Sequence, residues 1–178
     1  MKGRVIPSIN SVTVKAPAAA AWKLIGDEFV AVDRWMAAIP RAEAIEGPAL
    51  PGAPAKGRNS YLVQKFAPMY QEEVLTKFDP EAMTICVDVT LHHGPKAMPM
   101  RGYTSTVTVR AINDATCEVT WIGEATPKWF AKPMRRMLTN SMDAGFIRSL
   151  EEIQHFVETG QPHPRKVEKI KSEAALAA

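Results

Sequence analysis

Between residues 58 and 123 the chain offers five strand-like stretches in succession, Arg58–Lys65, Tyr70–Phe78, Met83–Leu91, Gly102–Ala111 and Thr116–Gly123, and then one long helical stretch. The links between them are short and carry turn chemistry, such as DPEA at 79–82 and NDAT at 113–116. Links that short cannot cross over a sheet, so neighbours must pair antiparallel, as a meander. From Pro133 the apolar period changes to about 3.6, with Met134, Met137, Leu138, Met142, Phe146, Leu150, Ile153 and Val157 on one stripe. Pro133 suits the start and Gly160 the stop of a helix of about 27 residues, or about 40 Å. An antiparallel sheet with one face to bury and a helix with one stripe to bury satisfy each other when the sheet curls around the helix. The expectation is an α+β fold with a cavity between the two.

Upstream, SVTVKAP alternates Val12 and Val14 with polar residues as a half-buried strand does, and Pro17 ends it. AAAAWKLIG follows as a helix bearing Ala18, Ala21, Trp22 and Ile25, with Gly26 placed to stop it. A second short helix carries Val30, Trp35 and Met36. Residues 41–56 are rich in Ala, Gly and Pro and read as a loop or edge strand. Residues 161–178 hold few core-forming side chains and read as a mobile basic tail in which VEKIKSEAALA could be a frayed helix. The division expected is one ligand-binding domain over 1–160 and a flexible tail over 161–178.

A chain of 178 residues suits one domain, and 46% apolar with 23% charged residues is an ordinary globular balance. The net charge is +3, and four of the 22 basic residues, Arg165, Lys166, Lys169 and Lys171, lie in the last 14 positions. The body is close to neutral, which argues against nucleic acid as a partner. MKGRVIPSIN has no apolar run, and no stretch approaches a membrane span, so the expected location is the cytoplasm. Cys86 and Cys117 fall in strand-like stretches without a CxxC partner and read as buried, reduced thiols. No phosphate loop, nucleophile elbow or HExxH motif occurs. No metal and no cofactor is expected, and the assembly is taken as monomer or homodimer.

Alternation points to the residues that would face the cavity. Tyr103, Ser105, Val107 and Val109 share one face of their strand, and Cys117, Val119 and Trp121 one face of the next. Trp121 is then a cavity wall or plain core. Val74 and Phe78 would bring Glu72 inward. His92 and His93 are adjacent, so on a regular strand they point apart and cannot both ligate one metal. One of them could shuttle a proton at a cavity rim, or both are solvated. Met98, Met100, Met134, Met137 and Met142 could adapt to an irregular apolar ligand, although those on the helix are expected to fill the core. Lys128, Lys132, Arg135 and Arg136 form a basic cluster that reads as a solvated face.

VKAPAAAAWKLI, DRWMAAI, EEVLTKFDPEAM, HHGPKAMPMRGYTSTVTV and EVTWIGEATP, taken in order over residues 10–158, resemble the START/Bet v 1-like (SRPBCC) helix-grip superfamily. Within it they are similar to the bacterial polyketide cyclase/dehydrase group. The resemblance implies a curved antiparallel sheet gripping a long C-terminal helix, with two short helices after the first strand. The family's E-x-L-T pattern matches Glu73, Leu75 and Thr76, which favours Glu73 over Glu72 as the inward carboxylate. The loops that close the pocket in the related plant hormone receptors resemble KFAPMY and LHHGPKAMPMRG, which places both at the cavity mouth. The implied wall comprises Trp35, Tyr61, Phe66, Pro68, Glu73, Val87, His92, Met100, Tyr103, Ser105, Trp121, Met134, Leu138 and Met142. The function implied is binding of a hydrophobic, cyclic, polyketide- or lipid-like molecule. The alternatives are a cyclase, dehydratase or related lyase in which Glu73, Tyr103 or His92 transfers a proton, and a partner-binding module gated by the mouth loops.

Overall fold

The computed structural model describes residues 7–62 and 69–177. Seven strands, β1 (Ser8–Val14), β2 (Arg41–Ala44), β3 (Gly57–Tyr61), β4 (Tyr70–Asp79), β5 (Thr84–His92), β6 (Met100–Asn113) and β7 (Thr116–Pro127), form one antiparallel sheet in the order β1-β7-β6-β5-β4-β3-β2. The meander is as expected, and residues 41–44 add an edge strand paired to β3. Helix α1 (Ala18–Trp22) runs into a π-type turn over 23–27 and a 3-10 segment over 29–34 kinked at Ala31. A 3-10 turn over 129–134 precedes the long helix α2 (Arg135–Thr159), which ends on Gly160 at φ 71, the left-handed conformation that glycine adopts freely.

Period-2 alternation builds the concave face. Val87 and Val89 of β5, Val107 and Val109 of β6, and Val119 and Trp121 of β7 are all buried, and Phe146, Leu150 and Ile153 of α2 pack into the curve. Phe146 stacks on Trp121 at 4.9 Å between ring centres. Gly123 makes room for that ring, since a Cβ there would sit 2.3 Å from a Phe146 ring carbon. Edge strand β1 is laced to α2 by side chains: Ser8 Oγ and Asn10 Nδ2 donate to Asp143 Oδ1 at 2.5 and 3.0 Å, and Gln154 Nε2 donates to the Thr13 carbonyl at 2.8 Å. The lacing covers an edge that would otherwise be open to pairing.

Four features differ from the sequence reading. Gly26 does not stop α1; it lies within the π-type turn because a Cβ would come within 2.5 Å of the Trp22 ring one turn earlier. Met134 and Met137, expected in the core, are exposed: Leu138 and Thr139 take the buried face of the same turns, and Met137, nine residues before Phe146, lies half a revolution away from it. Cys86 is only half-buried, because it alternates with the inward Ile85 and Val87, whereas Cys117 is fully buried. Residues 164–177, in the segment read as a tail with a frayed helix over VEKIKSEAALA, form helix α3 (Pro164–Ala177), whose start is held to the body. Arg165 pairs with Glu151 and Glu152 on α2, and the buried Lys166 donates from Nζ to the Ile39 carbonyl at 2.8 Å.

Replacing Phe146 with Ala should lower stability by about 3–5 kcal/mol, because it removes a buried ring and leaves a hole against Trp121. Urea unfolding should show the midpoint fall with an unchanged slope, and a loss under about 1 kcal/mol would mean the grip does not depend on this contact.

Candidate functional site

The cavity lies between the concave face, the irregular segment 23–35 and α2. Its apolar wall is Leu24, Ile25, Phe29, Trp35, Ile85, Val87, Val107, Trp121 and Ile153, and its polar members are Arg58, Glu73, Tyr103 and Ser105. The interior leaves about 30 Å³ for the centres of water molecules. That is room for about two waters, since one needs roughly 10–15 Å³. A ring-sized ligand therefore requires the wall to move. Segment 23–35 is the irregular part of that wall, a π-type turn followed by a kinked 3-10 stretch rather than regular helix.

Glu73 and Arg58 face each other across β3 and β4, and the register puts Ser60 on the same inner face. Arg58 Nη2 donates to Glu73 Oε2 at 2.7 Å, and Ser60 Oγ donates to Glu73 Oε1 at 2.5 Å. Arg58 Nη1 donates to the Phe29 carbonyl, and the guanidinium lies over the Phe29 ring at 4.2 Å. One cation thus ties the sheet to the segment that covers it. Arg58 Nε is buried and has no hydrogen-bond partner among the described residues, a donor whose desolvation is uncompensated. Both Glu73 oxygens already accept hydrogen bonds, so this carboxylate holds the guanidinium in place and is poorly placed to take a proton from a ligand.

The choice between Glu72 and Glu73 turns on a β-bulge. Register shifts between Leu75 and Lys77, so Leu75 faces Val87 and Phe78 faces Ile85, both inward. The inward Phe78 is therefore compatible with an inward Glu73, and Glu72 points to the convex side.

The Tyr103 hydroxyl donates to Gln71 Oε1 at 3.2 Å. Burial first, and the Glu73 carboxylate second, raise the Tyr103 pKa well above the ordinary tyrosine value, so the group stays a neutral donor. Trp121 Nε1 donates to Ser105 Oγ at 2.6 Å, which leaves the serine proton for another acceptor.

Of the residues expected at the wall, Trp35, Glu73, Val87, Tyr103, Ser105 and Trp121 come together here. Phe66 and Pro68 lie outside the described residues. Leu138 is buried core and Met142 packs beside Gly123, neither against the cavity. Met134 is exposed, and Met100 sits at the start of β6 opposite Pro127. Tyr61 and His92 are on the convex face, because they alternate with the inward Ser60 and with Val87 and Val89. There Arg41, Tyr61, Tyr70 and His92 form a row across β2 to β5, with Arg41 at 3.9 Å over the Tyr61 ring and His92 stacked on Tyr70 at 4.6 Å. His93, in the left-handed conformation at φ 56, tilts against the same Tyr70. His92 Nε2 is 3.4 Å from Glu72, so its neighbour is the outward carboxylate.

Sequence reasoning did not find Arg58. The available signal was its position: Arg58 stands two residues before Ser60 on an alternating strand opposite Glu73, so one face must take both charges.

A sequence model of the family described as polyketide cyclase/dehydrase and lipid transport matches residues 10–152. Among solved structures, an uncharacterized protein from Bacillus thuringiensis is similar at 20% identity and a TM-score of 0.66, over 85% of this chain and 98% of that one. The ZhuI aromatase/cyclase from Streptomyces sp. R1128 is similar at 11% identity and a TM-score of 0.66, over 90% and 100%. Norcoclaurine synthase from Thalictrum flavum is similar at 18% identity and a TM-score of 0.59, over 88% and 97%. A search of curated proteins found no significant match. No helix among the described residues is long and apolar enough to cross a membrane.

Two outcomes test the electrostatics. Glu73→Leu and Arg58→Met should each cost about 3–5 kcal/mol, by stranding a buried charge, while the double variant should lose less than the two losses added together. Losses in urea unfolding that simply add would show that the two do not interact. Because the folded-state pKa of Tyr103 is raised, the unfolded chain loses its phenol proton at lower pH than the folded one, and stability falls as pH rises past the ordinary tyrosine value of 10.0. Tyr103→Phe should make that alkaline fall shallower, and an identical fall in both proteins would contradict the burial.

Proposed function

This chain belongs to the polyketide cyclase/dehydrase and lipid transport family, and on that premise we propose that it binds an apolar, ring-containing small molecule bearing an oxygen acceptor, between sheet and helix. The observation that carries the reading is the contrast within the wall. It is apolar apart from one cluster, and that cluster offers the neutral Tyr103 phenol, the Ser105 hydroxyl and the unpartnered Arg58 Nε. An apolar site with a few convergent donors orients a ligand by its acceptor and holds it by its rings. Entry of a ligand displaces segment 23–35 and exchanges the 3.2 Å Tyr103–Gln71 contact for a bond to the ligand oxygen.

A second reading, a cyclase or dehydratase, rests on the same phenol. A tyrosine kept protonated by burial can give its proton to a departing hydroxyl or an enolising carbonyl. Tyr103 is the group for that step. Glu73 is engaged by Arg58 and Ser60, and His92 lies on the other side of the sheet, so neither serves as its partner base.

Titration with bicyclic ketones such as 1-tetralone, followed by tryptophan emission from Trp35 and Trp121 in the wall, tests the binding. Tyr103→Phe should weaken the Kd about fivefold, the equivalent of one neutral hydrogen bond near 1 kcal/mol. Equal affinity in the two proteins, or no binding by any such ketone, would sink the reading. Rates of ketone-substrate dehydration reduced by orders of magnitude in the same variant would favour the second one.

A further inference from the structure

The start of α2 buries one face and leaves apolar side chains open on its other sides. Leu138, Phe146, Leu150 and Ile153 are buried, whereas Met134 and Met137 are 39% and 48% exposed. The 3-10 turn before them adds Trp129 at 76% and Phe130 at 42% exposure, the two rings edge to face at 5.8 Å. Single exposed apolar side chains are ordinary, but an uncovered cluster headed by a tryptophan marks a contact surface.

The segments that carry these side chains are rich in cations. The Lys128 backbone N–H donates to the Pro99 carbonyl at 2.9 Å and Lys128 Nζ to the Lys96 carbonyl at 3.1 Å, which joins segment 94–101 to segment 127–137. Together the two segments hold Lys96, Arg101, Lys128, Lys132, Arg135 and Arg136 and no carboxylate. The whole chain has a net charge of only +3, so the rest of it is net negative. Positive charge is concentrated where the apolar side chains are left open.

We propose that this end of the molecule, Trp129, Phe130, Met134 and Met137 with Lys132, Arg136, Lys96 and Arg101 around them, docks reversibly on an anionic phospholipid surface. Charge complementarity selects the anionic partner. The apolar side chains select lipid over an acidic protein: a protein would have to supply a pocket for Trp129, whereas a headgroup boundary accepts an indole and a thioether without a preformed shape. Docking would be peripheral and salt-sensitive, as attraction between exposed charges is. Segment 94–101 leads directly into Gly102 and Tyr103, so the docked face adjoins the Tyr103 end of the cavity. The proposal does not depend on the cavity's ligand.

Full-length protein is sedimented with vesicles of phosphatidylcholine alone or mixed with phosphatidylserine, and tryptophan emission is followed. Trp22, Trp35 and Trp121 are 6%, 4% and 8% exposed, so a blue shift reports Trp129. The expected result is co-sedimentation with the mixed vesicles only, with a blue shift, reversed by high salt. Trp129→Ser and the pair Lys132→Glu with Arg136→Glu should each reduce the bound fraction roughly fivefold or more at unchanged melting temperature. Absence of binding to both vesicles, binding without a blue shift, or binding undiminished in Trp129→Ser would overturn the proposal. Capture by polyglutamate with no vesicle binding would overturn it in favour of an acidic protein.

Discussion

Taking a guanidinium and a carboxylate out of water costs several kcal/mol per ion in a folded protein, so Arg58 and Glu73 remain buried only while each keeps the other and their remaining hydrogen bonds are met. Glu73 meets this condition through Arg58 and Ser60. Arg58 meets it through Glu73, the Phe29 carbonyl and the Phe29 ring, with Nε left over. The pair spans β3, β4 and segment 29–34, so the cover over the cavity is fastened by the same ions that line it. A movement of that cover large enough to admit a ring must preserve or replace the Arg58–Phe29 contact. The charge pair therefore ties the sheet to the segment that covers the cavity.

That arrangement also divides the polar groups by what they can do. Glu73 is spent as an acceptor, and Tyr103 stays protonated because burial and Glu73 both oppose its ionisation. The interior is consequently a donor site: Tyr103, Ser105 and Arg58 Nε all present hydrogen, and none presents a free basic oxygen of comparable strength. A ligand that fits the chemistry has an acceptor at one end and rings at the other. Base-dependent chemistry would need an acceptor brought by the ligand itself.

Much of this was legible from alternation. The inward faces of β5, β6 and β7 follow from period 2, and Tyr103, Ser105 and Trp121 were placed by it. The element order and its family resemblance gave the helix-grip architecture. What escaped has particular causes. Glu72 and Phe78 could not be reconciled by a strict period because the bulge at Leu75/Lys77 adds one residue, and no residue type marks a bulge of this kind. The resemblance of LHHGPKAMPMRG to a pocket-closing loop points to His92 at the rim, whereas β5 runs on through His92 and carries it to the convex face. The docking of helix α3 is not legible because its anchors are Arg165 and Lys166, whose long side chains reach buried or half-buried acceptors that only tertiary structure supplies.

The open apolar side chains lie just before α2 and at its start, on sides that β1 does not cover. A helix of 25 residues is about 37 Å long, and a strand of 7 residues is about 23 Å. Ser8, the first residue of β1, pairs with Asp143, so the two turns of α2 before Asp143 run past that strand. Those turns still bury one face, at Leu138 and Thr139, while Met134 and Met137 stand on the sides left open. If the overhang served only the fold, Met134 and Met137 could be polar without loss, and Trp129 would have no reason to stand in water between Lys128 and Lys132. The placement of cations around an apolar overhang, in a chain whose remaining charge is negative, is the pattern of a surface shaped for contact with something outside the molecule.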